Sequence, residues 1–189
     1  MKISITGHTA GIGLALKTVF EKNGHTVVGF SRSNGYQIAD EEARARILEE
    51  SKDVDMFINN AYDHVGQYEL LAGMINQWDG TNKQIINISS KFSLAVNRTW
   101  THEFLDVYIE KKREQNELIR TKMAESSPRI LNVIVGLVDT NKSTELPGNR
   151  INPKDLSELI YNLAVNSPMY VQEITLDAPD NDWHKFGVF

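Results

Sequence analysis

Tyr108 and Lys112 are the two side chains whose types and spacing best suit acid–base chemistry. They lie four residues apart in a segment with a helical pattern, so both side chains share one face of the helix. A phenol titrates at about pH 10, and a neighbouring ammonium group favours the phenolate and lowers that pKa. Ser90 ends the strand-like segment before this helix, where its hydroxyl can bond a substrate oxygen beside the phenol. The three residues predict a site of positioned proton transfer.

A glycine-rich turn follows the first strand-like segment of the chain. Residues 6–13 read T-G-x-x-x-G-x-G, between a predicted strand and a predicted helix. Such a turn binds phosphate because glycines let a ligand approach the backbone and a helix N-terminus attracts anions. A connection that needs only close packing is the alternative. We expect nucleotide binding, with contacts from Gly7, His8, Thr9, Gly11, Ile12 and Gly13.

Strand-like and helical segments alternate along the chain and must position these residues. Predicted strands lie at 1–6, 25–30, 35–39, 55–59, 84–88, 130–135 and 170–176, and predicted helices at 14–22, 41–51, 67–78, 101–124 and 153–165. This alternation predicts parallel strands joined by helical crossovers. The expected fold class is α/β, a doubly wound parallel sheet of the Rossmann type in three αβα layers, with residues 1–189 as one domain. Such sheets bind ligands at the carboxyl ends of their strands.

Composition excludes several classes of function. The chain has 189 residues, 41% of them hydrophobic and 24% charged, as in ordinary soluble domains. A net charge of −5 argues against nucleic-acid binding, which needs clustered cations. The absence of cysteine excludes disulfides and thiolate metal sites, and the histidines lack metal-ligand spacing, so no metal is expected. We find no membrane-spanning run or signal peptide and expect a cytoplasmic protein without membrane partners.

Five motifs, in order along nearly the whole chain, resemble those of the short-chain dehydrogenase/reductase family. Besides the glycine turn and Tyr108-x-x-x-Lys112, they are the strand ends N-N-A at 59–61 and N-I-S-S at 87–90, and the segment V-G-L-V-D-T at 135–140. The resemblance implies an NAD(P)-dependent oxidoreductase that interconverts a small-molecule carbonyl and an alcohol. It also implies a homo-oligomer, either a dimer or a tetramer.

The resemblance assigns roles to individual residues. Tyr108 would be the general acid/base, Lys112 would lower its pKa and contact the nicotinamide ribose, and Ser90 rather than Ser89 would orient the substrate oxygen. The cofactor would also contact Asn60, Ala61, Gly136, Val138 and Thr140.

The sequence departs from the family pattern at several places. Tyr62 replaces the glycine of N-N-A-G, and Val135 replaces the proline of the P-G segment. The family's fourth catalytic residue, an asparagine, has no clear counterpart; Asp63 and His64 fall nearest by counting, and we expect both in a surface loop. A nicotinamide-dinucleotide-binding sensor or scaffold without turnover is therefore the alternative function.

The end of the second predicted strand bears on cofactor choice. Enzymes that use NAD usually have an acidic residue there, but residues 22–39 contain no Asp or Glu, and Ser31 and Arg32 stand at the place in question. A guanidinium suits the 2′-phosphate of NADP through charge-assisted hydrogen bonds; a solvated arginine in a turn is the alternative. The resemblance places Gln37 and Ile38 beside the adenine. We expect NADP(H) as the preferred cofactor and NAD(H) as the second choice.

Overall fold

A six-stranded sheet forms the centre of the computed structural model, which describes residues 1–95, 103–124, 128–140 and 148–181. Its strands are β1 (Lys2–Thr6), β2 (Thr26–Phe30), β3 (Met56–Asn59), β4 (Gln84–Ser90), β5 (Arg129–Val135) and β6 (Glu173–Leu176). They lie in the order β2-β1-β3-β4-β5-β6, and every pairing is parallel. Because the order reverses beside β1, the topological switch point lies between β1 and β3.

Within the described ranges, five helices cover the two faces of this sheet. They are α1 (Gly11–Lys22), α2 (Glu41–Glu50), α3 (Gly66–Gln77), α4 (Glu103–Met123) and α5 (Pro153–Tyr161), the last continuing as a π-helical turn to Asn166. Helices α1 and α5 pack on one face, and α2, α3 and α4 pack on the other. The predicted three-layer doubly wound fold is confirmed. Residues 101–102 of the predicted fourth helix lie outside the described residues. Among those described, no helix combines the length and apolarity needed to cross a membrane.

The strands are apolar on both sides because helices cover both faces of the sheet. In β4, Ile86 and Ile88 face α1 and α5, whereas Ile85 faces the opposite helical layer. Burying one such side chain stabilises the fold by about 1.5–3 kcal/mol. The packed sheet fixes the strand ends, which carry the candidate site.

A ladder of buried amides crosses the sheet on the side of α4. Asn59, Asn87 and Asn132 are fully buried and stand at matching positions of β3, β4 and β5. Asn59 donates to Asn87 and Asn87 donates to Asn132, each at 3.0 Å. Asn132 donates in turn to Asn116 of α4 at 3.1 Å. A buried amide without hydrogen-bond partners destabilises the fold. This ladder therefore favours one strand register and one position of α4 on the sheet.

The strand predicted at 35–39 is wrong. Residues 35–39 form turns instead, and the sheet ends at β2. The carbonyl oxygens that a strand would present to a neighbour accept bonds from arginine side chains of α2. Arg44 donates to the carbonyls of Ile38 and Ala39, and Arg46 donates to that of Gly35.

Candidate active site at the carboxyl ends of the strands

The glycine turn links β1 to α1 through backbone geometry that favours glycine. Gly7 and Gly11 have φ angles of 74° and 54°, in the left-handed region. A Cβ atom on Gly13 would lie 2.1 Å from the Gly7 carbonyl oxygen, so a larger residue cannot fit there. The Gly7 amide donates to Phe30 at 2.7 Å. The turn is thereby tied to the end of β2.

Asn60 braces this turn from the neighbouring strand end. Its side-chain amide donates to the Thr6 carbonyl at 3.0 Å and to the Gly7 carbonyl at 3.5 Å. The Thr6 hydroxyl accepts the backbone amides of Asn60 and Ala61, each at 3.0 Å. The predicted cofactor residues of β1 and β3 thus lie together at the switch point, and the side chain of Asn60 is engaged with the turn.

The N-terminus of α1 is open to an anion. Ala10 is its N-cap and provides no side-chain hydrogen bond, and the first turn contains no acidic residue. Unpaired amides and the helix dipole together favour a negative group there. Thr140 borders the same place, because its Cγ2 atom lies 3.1 Å from where a Cβ atom of Gly11 would stand.

His8 lies between the glycine turn and β2. Its ring sits against Gly29, where an added Cβ atom would lie 2.3–2.5 Å from three ring atoms. Its Nδ1 atom is buried and has no hydrogen-bond partner in the described part of the chain. The imidazole therefore fills space beside the end of β2 and also carries an unsatisfied polar atom there.

The turn after β2 presents a cation and two hydroxyl groups. The Ser31 hydroxyl lies 2.8 Å from that of Ser33, and the Ser31 amide donates to Asn34 at 2.8 Å. Asn34 in turn donates to the carbonyl of Gly29 at 2.8 Å, which closes the turn. Arg32 is exposed. Beyond it, Gln37 is exposed and Ile38 is buried in the hydrophobic layer.

Ser90 and Tyr108 meet at the end of β4. A side-chain hydrogen bond joins them, and Ser90 is only 5% exposed. Burial raises the pKa of Tyr108, while the bond from Ser90 acts in the lowering direction. Ser89 points elsewhere, since its hydroxyl donates to Asn116 at 2.7 Å. The structure thus brings Ser90, rather than Ser89, to the phenol.

Lys112 lies one turn after Tyr108 and is 3% exposed. Its amine donates to the Gln67 side-chain oxygen at 2.6 Å and to the Ile88 carbonyl at 2.8 Å. The amine is 5.8 Å from the centre of the Tyr108 ring. Burial lowers the pKa of Lys112 to about 7. The expected lowering of the Tyr108 pKa by this lysine is not seen here, because burial of the phenol dominates.

Tyr62, which replaces the family's glycine, packs against this pair. Its ring meets that of Tyr108 edge to face, with centroids 4.7 Å apart. The Lys112 amine lies 5.5 Å from the Tyr62 ring centre. Burial, followed by the neighbouring Tyr108 and Asp63, raises the pKa of Tyr62 to about 12.

The remaining predicted residues border the site in different ways. The Gly136 amide donates to the Leu176 carbonyl at 2.8 Å, and Val138 is buried in the core, so any contact it makes would use its backbone. Asp63 precedes α3 and accepts the amides of Val65 and Gly66, at 3.3 and 3.2 Å.

Gln67 is the site residue that the sequence analysis missed. It is fully buried in the first turn of α3 and holds the lysine amine. A glutamine carries no motif of its own. The available signal was a polar residue at the start of the helix, six residues after the strand end N-N-A.

Comparison with known proteins shows the fold. No protein-family model matches the chain, and no curated protein matches it. Among solved structures, a short-chain dehydrogenase from Burkholderia cenocepacia J2315 in complex with NADP has a TM-score of 0.74 and 18% identity, over 94% of this chain and 88% of that one. The 3-alpha-hydroxysteroid dehydrogenase from Pseudomonas sp. B-0831 complexed with NADH has a TM-score of 0.70 and 17% identity over both whole chains. A 3-ketoacyl-(acyl-carrier-protein) reductase from Brucella melitensis complexed with NADH has a TM-score of 0.72 and 19% identity, over 94% and 96%.

The chain has the fold of the short-chain dehydrogenases. The alignments cover 88–100% of these matched chains.

Proposed function

We propose that this protein is a short-chain dehydrogenase/reductase that uses a nicotinamide dinucleotide to interconvert a carbonyl and an alcohol. The observation that supports this most is the hydrogen bond between Ser90 and Tyr108, with Lys112 one helical turn away. The glycine turn and the second strand end lie at the same edge of the sheet. A phosphate cradle and an acid–base group are thereby combined on one edge, as hydride-transfer chemistry requires.

Tyr108 would donate a proton to the carbonyl oxygen of the substrate. Its raised pKa keeps the phenol protonated at neutral pH, the state that can donate a proton to a carbonyl oxygen. Ser90 would bond the same substrate oxygen and hold it beside the phenol. The bound cofactor would supply the hydride.

The residues at the adenosine and phosphate end fit a dinucleotide. The open N-terminus of α1 accepts a phosphate, and exposed Arg32 stands beside the serine hydroxyl groups of Ser31 and Ser33. No hydrogen bond or ion pair occupies the Arg32 guanidinium within residues 1–95 and the other described ranges, so it is available for a 2′-phosphate. NADP(H) is therefore the cofactor we propose.

Binding without turnover is the second candidate, and two contacts favour it. The Tyr62 ring lies against Tyr108, and the Lys112 amine is already held by protein atoms. A dinucleotide-binding sensor or scaffold would keep the phosphate cradle and need no reactive phenol.

The deciding experiment combines a binding titration with a screen of carbonyl compounds. The protein is titrated with NADPH and NADH, and a panel of aldehydes and ketones is then tested for NADPH oxidation at pH 7. Turnover above the background rate supports the oxidoreductase. Tight binding with no oxidation by any compound supports the sensor or scaffold, and absence of binding contradicts both.

A further inference from the structure

Gln67 connects two strand ends to the lysine of the candidate site. Its side-chain amide group donates to the carbonyls of Asn59 and Ile88, at 3.1 and 3.2 Å. Its side-chain oxygen accepts the Lys112 amine at 2.6 Å. The residue is fully buried, so these protein groups take the place of water around it.

The orientation of this amide follows from its partners. Turning it over would place its oxygen against two carbonyl oxygens and its NH₂ group against the amine of Lys112. Acceptors would then face acceptors and donors would face donors, which a buried group does not tolerate. The strand ends thus direct the Gln67 oxygen at the lysine.

Among the residues that the structure describes, the groups around the Lys112 amine supply no counter-charge. From α3 and β4 it meets the neutral oxygens of Gln67 and Ile88. The titratable groups that face it are Tyr108 on its own helix and Tyr62 after β3, at 5.8 and 5.5 Å from the ring centres. Both tyrosines have raised pKa values and are uncharged near neutral pH. Burial alone shifts the pKa of Lys112, to about 7.

We propose that Gln67 is a positioning residue, which fixes the Lys112 amine near the Tyr108 ring through a neutral acceptor and leaves it free to exchange its proton. A carboxylate at the same place would hold the amine equally well but would keep it protonated. An apolar side chain would neither hold nor charge it. This inference rests on the proposed function, because it assigns Gln67 a part in the same reaction.

Two substitutions at Gln67 separate positioning from packing. Gln67→Glu adds a counter-charge and should raise the pKa of Lys112 by one unit or more, because an opposite charge favours the ammonium. Gln67→Met has similar length but no acceptor, so the pKa of Lys112 should fall. Gln77→Glu on the exposed end of the same helix is the matched control and should leave it unchanged.

The titration is followed by NMR in protein labelled with ¹³C at lysine Cε, with the Lys112 signal assigned by Lys112→Met. No substrate or cofactor is needed for this measurement. Opposite shifts in the Glu and Met variants support the inference. An unchanged titration in both variants, or shifts in the same direction, overturns it. Should Gln67→Glu fail to fold, the direction of the shift in Gln67→Met decides alone.

Kinetics then test whether the lysine proton matters for turnover. The kcat for carbonyl reduction should fall as the pH rises through the pKa of Lys112, and in Gln67→Glu this fall should move upward with the NMR titration. We compare kcat at pH 8, divided by its plateau at low pH, between the two proteins. If the pKa of Lys112 rises by one unit, this ratio should be about fivefold higher in Gln67→Glu than in wild type. The KM for the carbonyl should be unchanged. If the NMR titration of Lys112 shifts in Gln67→Glu but the pH dependence of kcat does not, the proposed role of the lysine proton in turnover is overturned. Wild type without turnover would refute the proposed function, while the NMR result still decides the contact.

Discussion

The guanidinium of Arg32 is the feature that would distinguish a 2′-phosphate from a ribose hydroxyl. It is exposed at the end of β2, beside a turn closed by Asn34. Charge-assisted bonds to a phosphate form readily from such a position because little desolvation opposes them.

Arg32→Ala should remove most of a preference for NADPH over NADH. Hydrogen bonds to charged groups contribute about 1.5–3 kcal/mol, which is roughly one to two orders of magnitude in affinity. Arg32→Asp should shift the preference further toward NADH, because a carboxylate repels the phosphate and can accept hydrogen bonds from a free ribose. Calorimetric titration with both cofactors measures the change.

A matched control for Arg32 is Arg129→Ala, which removes a cation at the opposite end of the sheet. It should leave the ratio of the two affinities unchanged. Equal affinities of wild type for NADPH and NADH would show that Arg32 only faces solvent.

The contact between the glycine turn and β2 sets the shape of the candidate site beside the end of β2. Gly29 has no side chain, and the His8 ring occupies the space that one would need. The glycine is thus explained by a neighbour from another element rather than by its own backbone conformation.

Gly29→Ala should destabilise the protein or displace His8, because the new methyl group would lie 2.3 Å from the ring. In a His8→Ala background the same substitution should change the free energy of unfolding only slightly, because the obstructing ring is absent. Urea unfolding of the two single variants and the double variant measures this coupling. Additive effects of the two substitutions would contradict the contact.

Much of the element pattern follows from local sequence. The apolar run at 84–88 predicts a central strand because both faces of a parallel strand are covered, and β4 is found there. Pro153 after Asn152 predicts a helix start, and Asn152 caps α5 by accepting the Lys154 amide at 2.8 Å. The helical spacing of Tyr108 and Lys112 predicts a shared face, on which both lie.

Other features depend on contacts between distant residues. The segment 35–39 is predicted as a short strand, but Arg44 and Arg46 of α2 donate to the carbonyls that a neighbouring strand would need. The bond from Lys112 to Gln67 spans 45 positions and leaves no trace in the spacing of either residue. The edge-to-face contact of Tyr62 with Tyr108 is of the same kind.

Burial of the Lys112 amine lowers the free energy of unfolding of the protein. The pKa of Lys112 is lowered to about 7 in the folded chain, from 10.5 in an exposed lysine. Between those two pH values the unfolded chain binds more protons than the folded one, so this group makes stability rise with pH. Below about pH 7 the lysine is protonated in both the folded and the unfolded chain. The buried charge then lowers the free energy of unfolding by its full amount. Functional groups of this type commonly trade stability for activity.

Lys112→Met should therefore remove a pH dependence. Between pH 7 and pH 9, wild type should gain about 2 kcal/mol relative to Lys112→Met in the free energy of unfolding, at no more than about 1.36 kcal/mol per pH unit. Urea unfolding of both proteins at the two pH values gives the difference.

Lys111→Met provides the matched control on the same helix. Its bond to Glu114 raises the pKa of Lys111. Lys111 therefore contributes its full stabilisation below the pKa that it has in the unfolded chain, and this contribution should not change from pH 7 to pH 9. A stability difference between wild type and Lys112→Met that does not change with pH would show that Lys112 keeps an ordinary pKa.

The most direct test of the proposed activity is the kcat for carbonyl reduction by NADPH in wild type and in Tyr108→Phe. Loss of the phenolic hydroxyl should lower kcat by at least about 10²-fold, the usual contribution of a positioned acid, while NADPH affinity stays near that of wild type. Tyr161→Phe on α5 is the matched control and should retain wild-type turnover, because its hydroxyl lies near His25 at the amino ends of the strands. Equal turnover in wild type and Tyr108→Phe would contradict the assignment of Tyr108 as the proton donor.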